Sequence, residues 1–426
     1  MPDTTRRALI AGGLLAGAAS GVSFGGMSPL RGDAANPQDE SYWRGVAAQY
    51  DISKAFINLE YGNFGAVARQ VMAAYVRHTE RVNRLGAWYA RREFAGDAAR
   101  IRELVASELG VLPEEIVFTR GATEALQALI GGYRALRPGD SVLYADLDYD
   151  AMQSAMRWLA QRRGVTVDRI DLPEPATRES MLEAYSRALQ ANPKIRLLLL
   201  THLSHRTGMV MPVAEIAALA RARNVDVILD AAHAWGQISF NLASLGVDFV
   251  GLNAHKWIGA PLGVGVMWVR RSRIGDIEEF MGAHDYTAHP DIRDRVHTGT
   301  SNFASLLALE DALAFHRAVG PHSKIGRLRY LRDRWSEPLR HNENVEILTP
   351  AEPQSVGGIT SFRLRNHRGE SANAKLAQVL LERHGIFTVH RAGLAQGPCV
   401  RVTPNVFTSS AQIDALSKAL TDISRS

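Results

Sequence analysis

From residue 66 onward the apolar positions alternate between two periods. In "DAARIRELVASELGV" (97–111) they recur at helical spacing, whereas "EIVFT" (115–119) reads as a short strand. "GATEALQALIGGYRAL" opens on Gly121 and continues as a helix. The runs "SVLYAD", "IRLLLLTHLSH", "VDVILDAAH" and "GVGVMWVR" are short and rich in Val, Ile and Leu, and helical stretches such as "PVAEIAALARARN" separate them. Continuous apolar strands between amphipathic helices predict an α/β fold with a mainly parallel sheet covered by helices on both faces. Near residue 300 the pattern changes. Helical "NFASLLALEDALAFHRAV" leads to "GGITSFRL", a helix over about 371–384, "IFTVH", "CVRVTPN" and a final helix, the pattern of a smaller α+β domain. We therefore expect a large domain over 66–305 and a small C-terminal domain over 306–426. Ahead of them lies an extension over 36–65, in which "NPQDES" is a polar linker and "AFINLEYGNFGAV" a turn-rich entrance.

The chain has 426 residues, 49 Lys and Arg against 44 Asp and Glu, and a formal charge of +5. Its cations are spread out, with no basic block, so nothing points to nucleic acid. Cys399 is the one cysteine, which excludes an intramolecular disulfide framework and any CxxC metal or redox motif; no metal is expected. The beginning of the chain changes the picture. "DTTRRALIAGGLLAGAASGVSFGG" places Arg6 and Arg7 before an Ala/Gly/Leu stretch too short and small-sided to span a bilayer stably. It resembles a twin-arginine export signal. A signal segment over 1–35, passage through the twin-arginine machinery, a periplasmic location and no stable membrane insertion are the expectations; a disordered basic N-terminus is the alternative. Ala34 and Ala35 could supply small residues for cleavage.

Candidate chemistry gathers at three places. Lys256 stands in "LNAHKWIGAPLG", between a histidine and a tryptophan and ahead of glycines and a proline. A lysine amine becomes a nucleophile toward carbonyls when desolvation or nearby cations lower its pKa. Asp230 ends the strand in "ILDAAHAWG", where parallel sheets present side chains to the ligand crevice. Gly121, Ala122 and Thr123 carry a strand into a helix N-terminus, whose exposed amides and hydroxyl suit a phosphate. Each feature alone has a bland reading: a solvated lysine, a satisfied strand-end carboxylate, a simple turn. Together on one doubly wound sheet they supply the three attachments that pyridoxal 5′-phosphate requires.

The order "RGATEAL", "SHRTGMVMPV", "ILDAAHAWG", "LNAHKWIGAPLGVGV", "TGTSNF" and "VRVTPN" resembles the class V aminotransferase group of fold-type I pyridoxal-phosphate enzymes. Within it, "DAAHAWG" and "HKWIGAPLGVG" are closer to isopenicillin N epimerase-like proteins than to cysteine desulfurases. The resemblance implies that Lys256 is the Schiff-base lysine and moves protons at the substrate Cα. It implies that Asp230 pairs with the pyridine nitrogen and that His233 and His205 approach the phenolic oxygen. Tyr149 in "ADLDYDAM" would stack on the ring, and Gly121, Ala122, Thr123, Asn253 and His255 would surround the phosphate. Thr300 in "TGTSNF" would reach the phosphate of a neighbouring subunit, which implies a homodimer. Arg401 would bind the substrate α-carboxylate, with Arg391 a second candidate, and Asn63 and Phe64 would line the entrance. Trp257 would pack under the cofactor or touch substrate.

The fold leaves the reaction open. "HRAGLAQGPCVRV" lacks a cysteine where desulfurases carry a mobile one, so persulfide chemistry is not expected. A twin-arginine leader on a class V domain resembles the periplasmic enzyme that tailors the side-chain glutamate of pyoverdine siderophores. A periplasmic enzyme acting on an amino acid or peptidic metabolite is therefore expected. An epimerase or aminotransferase of conventional amino acids and a non-catalytic binding protein on the same fold are the alternatives.

Overall fold

The computed structural model describes residue 30 and residues 32–281, 291–297 and 299–425. Most of the expected leader over 1–35 thus lies outside the described residues. Seven strands form the main sheet. They are β1 (Ile116–Thr119), β2 (Ser141–Ala145), β3 (Thr166–Ile170), β4 (Ile195–Thr201), β5 (Asp226–Ala231), β6 (Phe249–Asn253) and β7 (Gly265–Val269). Their spatial order is β1-β7-β6-β5-β4-β2-β3. Strands β2 to β6 are parallel, as the unbroken apolar runs predict, and β7 alone runs against its neighbours β6 and β1. That reversal has a local cause: the residues between β6 and β7 contain no helix, and parallel neighbours need a long crossover.

Every residue of β2, β6 and β7 is buried, whereas edge strand β3, "TVDRI", is partly exposed. Helix α1 (Ala122–Gly132) buries Ala125, Leu126, Leu129 and Ile130 in a core with Leu197, Leu199, Ile228 and Phe249 from the sheet. The sheet reverses its winding between β2 and β4, since β3 follows β2 on one side and β4 returns on the other. Ligands of open α/β sheets bind outside the carboxyl ends of the strands at such a point.

A second sheet has the order β10-β11-β9-β8, from β8 (Val345–Ile347), β9 (Thr360–Leu364), β10 (Val389–Arg391) and β11 (Cys399–Val402). It is antiparallel throughout. Helix α2 (Pro321–Leu339) and the helices Glu370–His384 and Ser410–Ser424 cover it, with Trp335, Phe362, Leu380 and Leu416 in the shared core. The stretch "IFTVH" divides around buried Thr388. Ile386–Phe387 pairs in parallel with Ile57–Asn58, while Val389–Arg391 joins β11. This exchange of partners ties the N-terminal extension to the C-terminal sheet. The amide of Thr403 donates to the carbonyl of Leu59 at 2.7 Å, which sets Glu60 beside β11.

Residues 31–426 form one compact unit. Gly32–Ala34 make a 3₁₀ turn docked on α2, where the Ser323 hydroxyl donates to the carbonyl of Gly32 at 2.6 Å and accepts the amide of Ala35 at 3.0 Å. Among the described residues no helix is long and apolar enough to cross a membrane.

Candidate active site

A cavity of about 470 Å³ lies at the carboxyl ends of β2, β4 and β5. Lys256 reaches it from the turn after β6. The backbone there is held closely: the amide of Gly65 donates to the carbonyl of His255 at 3.0 Å, and a Cβ at position 65 would fall 1.8 Å from the carbonyl oxygen of Lys256. The glycine in "YGNFG" is therefore a close-approach residue. The Lys256 amine lies 3.0 Å from Nε2 of His233. Burial, with Arg401 and Arg391 nearby, pushes its pKa down to about 8 against the pull of Asp230 and Glu60.

Asp230 ends β5 on the cavity wall, its Oδ1 accepting the amide of Ala232 at 2.9 Å. Burial raises its pKa, opposed by that amide and by Lys256. His233 and His205 are buried, and desolvation holds both well below the ordinary imidazole range, with neighbouring cations acting in the same direction. Their rings stack at 6.3 Å between centroids, and Tyr149 meets His205 edge-on at 5.4 Å. The aromatic wall is thus built from Tyr149 and two neutral imidazoles.

Opposite stands the N-terminus of α1. Gly121, Ala122 and Thr123 line the cavity, and Oδ1 of Asn253 accepts the Ala122 amide at 2.8 Å, pinning the helix start to the end of β6. Nδ1 of His255 lies 3.1 Å from the carbonyl of Val264. Since a carbonyl only accepts, Nδ1 carries the proton there. Burial and Lys256 lower the His255 pKa.

Arg401 on β11 is buried in the cavity wall. Its Nη1 donates to the carbonyl of His205 at 2.8 Å, while Nε, at 3.3 Å, and Nη2 both donate to Glu60. Arg391 also reaches Glu60 at 3.3 Å. Burial lowers the Arg401 pKa to about 10, with Glu60 opposing.

The sequence-predicted residues Lys256, Asp230, His233, His205, Tyr149, Asn253, His255, Arg391, Arg401 and Asn63 meet here, together with the helix start at 121–123. Phe64 is half exposed and lines an adjoining cavity, not this one. Thr300 is exposed and stands off the cavity. Trp257 is buried behind His233, 3.2 Å from its Nδ1, and is not on the cavity wall. Sequence reasoning missed Glu60, which pairs with Arg401 of the distant β11, and Arg120 and Glu124, which pair at the helix start. It also missed Lys324 of α2, whose buried amine donates to the carbonyl of Trp257. Only the placement of Glu60 in the turn-rich "NLEYGNFG" hinted at any of these.

The sequence profile of class V aminotransferases matches residues 63–415. The chain belongs to the class V aminotransferase family. The family's enzymes depend on pyridoxal 5′-phosphate, and so does this one. The chain is 28% identical over 398 residues to the isopenicillin N epimerase of Streptomyces clavuligerus, covering 89% of this chain and 97% of that one. It is 29% identical over 322 residues to an IscS-like cysteine desulfurase of Mycobacterium tuberculosis, covering 73% and 77%. The fold is similar to that of a C-DES mutant with glycine covalently linked to its pyridoxal-phosphate cofactor, with a TM-score of 0.75, 22% identity and coverage of 88% and 98%. The cavity fits the class V cofactor: its lining offers a neutral-prone amine, a buried carboxylate and a helix N-terminus. Cys399 is buried on β11, where desolvation pushes its thiol up to about 11. A thiol so placed cannot move to take sulfur from a substrate.

Proposed function

We propose that this class V enzyme works at the amino group and Cα of an amino acid carried by a larger peptidic metabolite in the periplasm. Modification of the side-chain glutamate during pyoverdine siderophore maturation is the leading context. The observation that carries the substrate class is a second cavity of about 1270 Å³ next to the first. The two share Asn63 and Arg391, so a substrate held at Arg401 has room to extend past them. Phe64, Met72, Leu262 and Phe387 give the larger space apolar walls, and Arg69 and Asp51 stand at its margin. Such walls suit a bulky, partly apolar extension better than a free amino acid.

Bound pyridoxal phosphate supplies an electron sink that weakens the bonds at the substrate Cα. Lys256 would hold the cofactor through its amine and would carry the proton at Cα. Asp230 would pair with the pyridine nitrogen, and its burial would strengthen that charge pair. The helix start at 121–123 would hold the phosphate. Arg401 orients the substrate carboxylate through a bidentate contact, which requires Glu60 to give up part of its hold.

The proposal is tested by incubating the holoenzyme with peptidyl glutamates and with free glutamate, following the cofactor spectrum and products by mass spectrometry. Turnover of the peptidic compounds alone supports it; equal or better turnover of free amino acids contradicts it. Export is tested by fusing the leader to a reporter. An unchanged siderophore side chain after gene deletion would remove the pyoverdine context. A second reading is epimerisation, which the similarity across 97% of an isopenicillin N epimerase favours. Exchange of Cα hydrogen with inverted product and no keto acid would select it.

A further inference from the structure

Three side chains form a hydrogen-bonded line that runs from behind the cavity to its wall. The indole Nε1 of Trp257 donates to Nδ1 of His233 at 3.2 Å, and Nε2 of His233 lies 3.0 Å from the Lys256 amine. We propose that Trp257 is a positioning residue that fixes the tautomer of His233 and, through it, obliges the Lys256 amine to accept a hydrogen bond as a neutral nucleophile.

The argument rests on which groups can donate. An indole N–H is a donor only, so Nδ1 of His233 must offer its lone pair. A neutral imidazole with a bare Nδ1 carries its proton on Nε2. That N–H points at Lys256, and an ammonium group has no lone pair to receive it. Two donors would then face each other across 3.0 Å. The arrangement is satisfied only when the lysine is an amine. Protonating Lys256 requires the imidazole to turn away from one of its two partners.

The rest of the molecule holds this line in place. Trp257 is fully buried, so its indole cannot exchange its partner for water. Its backbone carbonyl accepts from the buried amine of Lys324 on α2. Gly236, at φ +86°, lets the chain after His233 pass the Trp257 carbonyl, where a Cβ would fall 2.9 Å from the oxygen. Facing the pair from other elements are Asp230 on β5, His205 after β4, Arg391 and Arg401 from the second sheet, Glu60 from the N-terminal extension and His255 beside the lysine. The two carboxylates oppose the two guanidiniums. Desolvation keeps His233 itself from becoming an imidazolium that would donate at both ends.

If Lys256 is the residue that would hold the cofactor, the fixed Nε2–H would then be a donor free to face the cavity. This consequence rests on Lys256 being the attachment site; the tautomer does not.

The test is nitrogen NMR of the full chain labelled with ¹⁵N-histidine, first stripped of cofactor, with the His233 signals assigned by their loss in His233→Gln. The expected spectrum shows a bare Nδ1 and a protonated Nε2. In Trp257→Phe the two signals are expected to move toward the average of a tautomer mixture. Acylation of Lys256 at neutral pH is expected to slow by roughly tenfold, as for one unit of pKa. A wild-type His233 protonated at Nδ1 overturns the proposal without any substitution. A soluble Trp257→Phe protein with unchanged signals and acylation rate overturns it too. Failure of cofactor attachment at Lys256, mapped separately by borohydride, would leave the tautomer result standing and remove only its consequence.

Discussion

Glu60 and Arg401, 341 residues apart in the chain, form a buried ion pair in the wall of the active-site cavity. Under the proposed function, the carboxylate occupies the guanidinium that a substrate carboxylate would use. Removing one partner of a buried pair strands the other charge and costs about 3–5 kcal/mol. Glu60→Ala is therefore expected to lower unfolding stability by about 3 kcal/mol, measured by urea titration. Glu60→Gln keeps the shape and drops the charge. It should cost less and should tighten binding of simple dicarboxylates to the holoenzyme several-fold, read from the cofactor spectrum.

Gly65 abuts the Lys256 carbonyl so closely that any side chain must displace the lysine or its own loop. A shift of about 1 Å at a reacting group costs on the order of 100-fold in rate. Gly65→Ala is expected to lower kcat by that order, with a smaller change in KM. Wild-type kcat in a well-folded Gly65→Ala protein would contradict the close approach.

Lys324 is buried, and desolvation alone pushes its pKa down to about 7 from the ordinary 10.5. The unfolded lysine then binds more protons than the folded one between those values, so this group makes stability rise with pH through that window. Lys324→Met is expected to flatten the rise between about pH 7 and pH 10.5, while loosening the grip on Trp257. The comparison is the slope of unfolding free energy against pH in the two proteins.

Ala34 and Ala35 are small enough for a signal peptidase, yet they belong to a segment docked on α2 through Ser323. Asp33 also accepts the amide of His322 at 2.8 Å. If the leader is processed, the cut is expected before Gly32, since cleavage at 34 or 35 would discard these contacts. N-terminal sequencing of the processed protein checks this.

Much of the main sheet was legible because strands such as "IRLLLL" are buried on both faces and carry no polar alternation. The reversal of β7 was not, since an apolar run does not state its direction. Lys256, Asp230 and Gly121 were legible because each stands at or just after a strand end, where an open sheet presents its ligand crevice. Glu60 and Lys324 escaped because their partners come from distant elements: 341 residues separate Glu60 from Arg401, and 67 separate Lys324 from Trp257. Trp257 was legible as a neighbour of the lysine, but only the fold turns its indole toward His233. Phe64 was read as an entrance residue, and the structure puts it in the larger adjoining cavity.

The measurement that bears most directly on the account is peptide mapping of the holoenzyme after borohydride reduction, wild type beside Lys256→Ala. The expected result is a single pyridoxyl-phosphate adduct on the peptide containing Lys256, with no adduct in the variant. An adduct on another lysine, or none in a wild-type protein saturated with pyridoxal phosphate, would contradict the assignment of this cavity as the active site.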